Sequence, residues 1–98
     1  MTLPIVMRRA AQTEFDDAVE WYETQRPGVA DRFADAVKST LARISASPKR
    51  HAVVYRDVRK ALVPKFPYCV YYVPDSKRIL VISVFHTSRD PAIWKGRR

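Results

Sequence analysis

Apolar residues change their spacing twice along this chain, and each change predicts a new kind of element. Leu3–Met7 is a short continuous apolar run that reads as a strand entering a core, closed by Arg8 and Arg9. From Ala10 to Gln25 the spacing becomes helical: Ala11, Phe15, Ala18, Val19 and Tyr22 form one stripe, with Glu14, Asp16, Asp17, Glu20 and Glu23 over much of the remainder. A solvated outer face is the plain reading for most of those carboxylates. Arg26-Pro27-Gly28 breaks the helix, because Pro27 cannot continue the hydrogen-bond ladder and Gly28 tolerates unusual φ. A second helical stripe follows over Val29–Ser45, carried by Ala30, Phe33, Ala34, Val37, Leu41 and Ile44, and ends before Pro48. The short connection predicts two antiparallel helices.

Beyond Pro48 the residues favour strands. Ala52–Arg56 and Arg59–Val63 flank Asp57-Val58, a spacing short enough for a β-hairpin. Tyr68–Val73 is β-branched and aromatic, Pro74–Arg78 is a polar turn, and Ile79–Phe85 is apolar on both faces, as a central strand requires. Pro91–Trp94 suits one helical turn. The order β-α-α-β-β-β-β implies an α+β fold, with a helical hairpin packed on one face of a mainly antiparallel sheet. At 98 residues and 47% hydrophobic, one domain over 1–98 with a single core is expected. One cysteine, Cys69, excludes an internal disulfide and fits a reducing compartment. No apolar run reaches the roughly 18 residues of a membrane span, and MTLPIVMRR has no signal core. The expected location is the cytoplasm, with no membrane partner.

Charge adds what periodicity cannot. Residues 1–48 carry six basic and seven acidic side chains, whereas 49–98 carry twelve and three, so the whole net charge of +8 lies in the second half. A fold that gathers this charge on one side attracts polyanions, either nucleic acid or an acidic protein partner. Familiar cofactor chemistry is excluded: Gly28 and Gly96 cannot make a phosphate loop, and Cys69, His51 and His86 are too scattered for a zinc site. No metal and no cofactor are expected. The remaining equipment is cationic and aromatic. If Ile79–Phe85 is regular, Leu80, Ile82 and Val84 share a face that His86 continues, with Arg89 just beyond and Arg59, Lys60 and Lys65 on or near a neighbouring strand. Metal-free RNA cleavage needs a base, cations for the phosphorane and an acid. His86 could supply base or acid, Arg59 and Arg89 the cations, and Tyr68, Tyr71 or Tyr72 a stacking surface. Each also has a plainer reading: a structural histidine, an Arg89–Asp90 local pair, and core tyrosines.

Three segments resemble the RelE/ParE superfamily of bacterial type II toxins, and more closely its ParE-like branch: AQTEFDDAVEWYETQRPGVADRF, VRKALVPKFPYCVYYV and ILVISVFHTSRDPAIWKGR. The most specific features are Asp16–Tyr22, Phe66-Pro67-Tyr68, and His86-x-x-Arg89 leading to Trp94. The resemblance implies a small basic toxin held inactive by a cognate ParD-like antitoxin, in a heterotetramer or larger complex. It implies an antitoxin segment lying over the helical hairpin and the sheet edge, with Trp21, Arg56, Lys60, Lys65, Tyr68, Trp94 and Arg97 as antitoxin- or target-binding residues. Two targets are implied. ParE-like members trap DNA gyrase and catalyse nothing, whereas RelE-like members cut mRNA on the ribosome. Arg59 falls where the family has a strand arginine, and His86 and Arg89 match the closing His-x-x-Arg. This chain lacks the dense lysine pair of RelE and has Thr87, not tyrosine, after His86, which favours gyrase. The alternative is a ribosome-dependent endoribonuclease using Arg59, His86 and Arg89. A degenerate copy that binds its antitoxin without killing is a third reading.

Overall fold

A computed structural model describes residues 2–98 and places the hairpin and the strands in the predicted order. Strand β1 (Ile5–Met7) is followed by helices α1 (Arg9–Glu23) and α2 (Val29–Ala46), then β2 (Val53–Tyr55), β3 (Val58–Leu62), β4 (Tyr68–Pro74), β5 (Ile79–His86) and the short α3 (Ala92–Lys95). The sheet order is β1-β5-β4-β3-β2, antiparallel except for β1, which runs parallel to β5. The strand predicted to be central, β5, is internal but second in line; β4 occupies the middle. The β2–β3 turn falls at Arg56-Asp57, one residue earlier than predicted. Val58 is fully buried and pairs with Tyr55, so it is drawn into the sheet, and Arg56 takes φ 52° in the turn.

The apolar stripes form the contact between hairpin and sheet. Ala11, Ala18 and Tyr22 of α1 and Ala30, Phe33, Val37 and Ile44 of α2 are buried against Ala61, Val70, Tyr72, Ile79, Val81 and Val84. Gly28 begins α2 at φ 84°, and a Cβ there would meet the Arg32 guanidinium at 3.2 Å, so both backbone and space favour glycine. On the opposite face, Val58, Cys69, Tyr71, Val73, Ile82 and Phe85 are covered by Trp94, whose ring stacks on Tyr71 with centroids 4.0 Å apart.

A bulge in β5 corrects one expectation. Tyr71 pairs with Ser83 but Tyr72 pairs with Val81, so Ile82 is the extra residue. Leu80 and Ile82 therefore pack on the Trp94 side, whereas Val84 packs under the helices. One inserted residue reverses the side-chain alternation, and His86 emerges on the hairpin side beside Tyr68.

The loop between α2 and β2 is tied to the sheet by side chains. Arg59 donates through Nη1 to the carbonyls of Lys49 (3.0 Å) and His51 (2.7 Å), and the buried Tyr72 hydroxyl donates to the Pro48 carbonyl at 2.8 Å. His51 sits edge-on to Tyr72, and burial, then Arg50 and Arg43, lower its pKa from 6.5. The folded state therefore favours neutral His51. Its contribution to stability is complete above the unfolded pKa and is lost as pH falls through that value toward the lower folded one. The unfolding midpoint is expected to drop between pH 7.5 and 5.5, and His51→Gln to flatten that slope; an unchanged slope in the variant would remove His51 as the cause.

Candidate functional site

At the end of β5 the sheet leaves a rim that α1 does not cover. Tyr68 and His86 are register partners across β4 and β5, and their rings meet edge to face with centroids 5.0 Å apart. Trp21, 56% exposed, projects from α1 over the same rim, and Arg89 comes from the turn after β5. These four side chains line two adjoining hollows of about 170 and 310 Å³, with Glu14, Asp17 and Ala18 on the α1 side. Trp21, Tyr68, His86 and Arg89, named from the sequence as candidates, are thus brought together.

Their hydrogen bonds define what the rim can do. His86 Nδ1 accepts the Ser88 main-chain N–H at 3.1 Å and lies 2.8 Å from Ser88 Oγ. An acceptor at Nδ1 leaves the neutral ring carrying its proton on Nε2, a tautomer suited to donating. Burial, followed by the neighbouring Tyr22, raises the Tyr68 pKa above its ordinary 10.0, so Tyr68 is a donor as well. Arg89 lies over the Phe85 ring at 5.0 Å and donates to Glu14 Oε2 at 3.2 Å. It pairs with Glu14 across the rim, not with its neighbour Asp90.

Glu14 is the residue that sequence reading missed. Strand β1 stops at Met7, the Arg8 N–H donates to the Val81 carbonyl, and from there the β5 edge has no partner strand among the described residues. Glu14 Oε1 accepts the Val84 N–H at 3.2 Å and the Ser83 hydroxyl at 2.8 Å. Arg97 donates to the Ile82 carbonyl at 3.0 Å and to Glu14 at 2.8 and 3.2 Å. A carboxylate and a guanidinium thus replace the missing strand along an edge whose polar groups need partners. The sequence held a signal for this. Glu14 falls three residues after Ala11 and four before Ala18, inside the apolar stripe, unlike the exposed Asp16, Asp17, Glu20 and Glu23.

The remaining candidates lie elsewhere. Arg59 pairs with Tyr72, four residues along β4 from Tyr68, or about 13 Å at ~3.3 Å per residue, and its guanidinium serves the loop described above. Tyr71 and Tyr72 are buried and offer no stacking surface. Trp94 was expected to contact a partner but is 3% exposed and packs the second face of the sheet. Arg97 was expected to do the same but is held by Glu14. Lys65, at φ 67°, lines a groove of about 560 Å³ with Arg26, Val29, Arg32, Pro64 and Phe66, between α2 and the β3–β4 loop. Lys60 lies on β3 with its side chain half-buried, and Arg56 sits in the β2–β3 turn.

A helical hairpin on a mixed five-stranded sheet is a fold shared with a solved structure. The structure described as the chromosomal ParDE TA system from P. aeruginosa matches with a TM-score of 0.77 and 13% identity, over 89% of this chain and 98% of that one. The sequence then narrows the class: residues 5–91 match the family described as ParE toxin of type II toxin-antitoxin system, parDE, and the chain belongs to that family. A search of curated protein sequences gives no match. Among the described residues no helix is long and apolar enough to cross a membrane.

Proposed function

We propose that this chain is the toxin of a type II toxin–antitoxin pair, held in the cytoplasm by a cognate ParD-like antitoxin, and that once free it stops DNA gyrase by binding. The observation that carries the choice of target is the separation of Arg59 from the Tyr68–His86 rim. Arg59 is bound to two carbonyls about 13 Å along the sheet from the Tyr68–His86 pair. Arg89 is paired with Glu14, and His86 Nδ1 is taken by the Ser88 main-chain N–H. Binding requires none of these to converge.

The groove beside Lys65 suits the antitoxin. Val29, Ala36 and Phe66 give it an apolar floor, and on its rim Arg26, Arg32 and Lys65 outnumber Asp35, the complement of an acidic segment with apolar anchors. One observation favours the ribonuclease reading, the gathering of Trp21, Tyr68, His86 and Arg89 in one hollow. Pulse-labelling of DNA and protein synthesis, minutes after inducing the chain alone in a bacterial host, separates the two. DNA synthesis is expected to fall first, and His86→Ala to keep its toxicity. Protein synthesis falling first, with toxicity lost in His86→Ala, would replace gyrase by the ribosome. If neither falls while the protein is soluble, antitoxin binding is the only activity left.

A further inference from the structure

Another hollow, away from both the Tyr68–His86 rim and the groove beside Lys65, has a different lining. It measures about 610 Å³ and is bounded by Arg8, Arg56, Asp57, Arg97 and Arg98, with no apolar side chain in its wall. These residues come from three separate places in the chain: the start of α1, the β2–β3 turn, and the tail after α3. Arg8 donates to the Arg97 main-chain oxygen at 3.3 Å and Arg56 to that of Arg98 at 3.1 Å. Arg98 is paired with Asp57 through Nε at 2.9 Å and through Nη2. Lys95 and Arg56 both lie over the Tyr55 ring, at 5.4 and 5.2 Å, so Lys95 extends the same patch.

The charges here do not cancel. Among the described residues, the ion pairs at this end of the molecule use Arg97 and Arg98, and no aspartate or glutamate pairs with Arg8, Arg56 or Lys95. A guanidinium has five N–H donors, and one bond to a main-chain oxygen leaves most of them for a ligand. We propose that this arginine cluster binds the phosphodiester backbone of a nucleic acid. Arginine forks match phosphate oxygens, and phosphate contacts need donors and charge without apolar anchors. An acidic peptide needs anchors to bind tightly, and this wall has none, in contrast to the groove beside Phe66. The site does not depend on which target the toxin stops. It gives the toxin a direct hold on nucleic acid.

The test uses the full chain free of antitoxin and the anisotropy of labelled oligonucleotides of unrelated sequence. A DNA duplex of about 20 base pairs and a single-stranded RNA are each titrated across a salt series, because the slope of log K against log salt is about −0.9 per phosphate contact for B-DNA and about −0.7 for single strands. Arg8→Gln combined with Arg56→Gln is expected to weaken binding about tenfold at low salt and to reduce the slope by about two contacts. Both side chains are exposed and bond only to main-chain oxygens, and circular dichroism checks that the variant folds. Lys38→Gln combined with Lys49→Gln, both exposed on α2 and the loop after it, removes the same charge elsewhere and is expected to change binding less than about twofold at the same salt. The tighter-bound oligonucleotide identifies the source of the phosphates. Equal losses in the two double variants would reduce the effect to net charge and overturn the site. So would an acidic peptide that binds at Arg8 and Arg56 when neither oligonucleotide does.

Discussion

Phe33→Ala is expected to cost the fold about 3–5 kcal/mol, the loss typical of a fully buried phenylalanine whose space is not refilled. Phe33 has no exposed surface and meets four other rings: Phe15 at 5.9 Å, Tyr22 at 5.0 Å, Phe66 at 5.2 Å and Tyr68 at 4.9 Å. Those rings come from α1, the β3–β4 loop and β4, so this one side chain joins the hairpin to the sheet. Against a total stability of about 5–15 kcal/mol for a domain of this size, the variant would retain little margin. The unfolding midpoint should fall by roughly 15 °C or more, given ~4–8 °C per kcal/mol for small domains. Phe33→Leu, which keeps most of the volume, should cost about 1 kcal/mol. Urea unfolding of both variants is the check. A loss under about 1 kcal/mol in Phe33→Ala would mean that the five rings do not pack as one cluster. The functional consequence is local as well, because Tyr68 belongs both to this cluster and to the rim with His86.

Glu14→Ala is expected to follow at about 2–4 kcal/mol, although it removes a charged side chain from a helix that bears four other exposed carboxylates. The loss arises from what remains. The Val84 N–H and Ser83 hydroxyl lose their acceptor, and Arg89 and Arg97 lose their counter-charge, with Glu14 only 11% exposed and Arg97 20%. Glu20→Ala, on the exposed face of the same helix, should change stability by less than about 0.5 kcal/mol. A double-mutant cycle of Glu14→Ala with Arg97→Met isolates the pair, and a coupling of about 1–3 kcal/mol is expected. Additive losses would show that the two side chains close the β5 edge independently, each through its own bond to the backbone.

Glu14 also marks the boundary between what periodicity conveys and what it does not. The stripes of α1 and α2, the break at Pro27-Gly28 and the strands from Val53 to His86 were all legible, because each element must bury one face and the spacing of apolar residues records which. The gathering of Tyr68, His86 and Arg89 was legible in part, since residues at strand ends meet at a common rim. The path to it was wrong in one respect: the bulge at Ile82 places His86 on the helix side, and no local signal marked that insertion. Arg59 looked like a site cation because it is basic and lies on a strand, yet the α2–β2 loop takes its donors. Trp94 looked like a contact residue because it is aromatic and close to the basic tail, yet the second sheet face needed a cover.

By itself, then, the sequence determined the elements, their order, the membership of the core and the concentration of positive charge in the second half, all of which follow from local spacing and composition. Tertiary structure decided which cations are free. Arg97 and Arg98 are drawn into pairs with Glu14 and Asp57, whereas Arg8 and Arg56, nearly fifty residues apart in the chain, end beside one another with their donors largely open. A guanidinium's availability depends on which carboxylates and carbonyls lie within about 3 Å of it, and in this fold those partners come from distant parts of the chain.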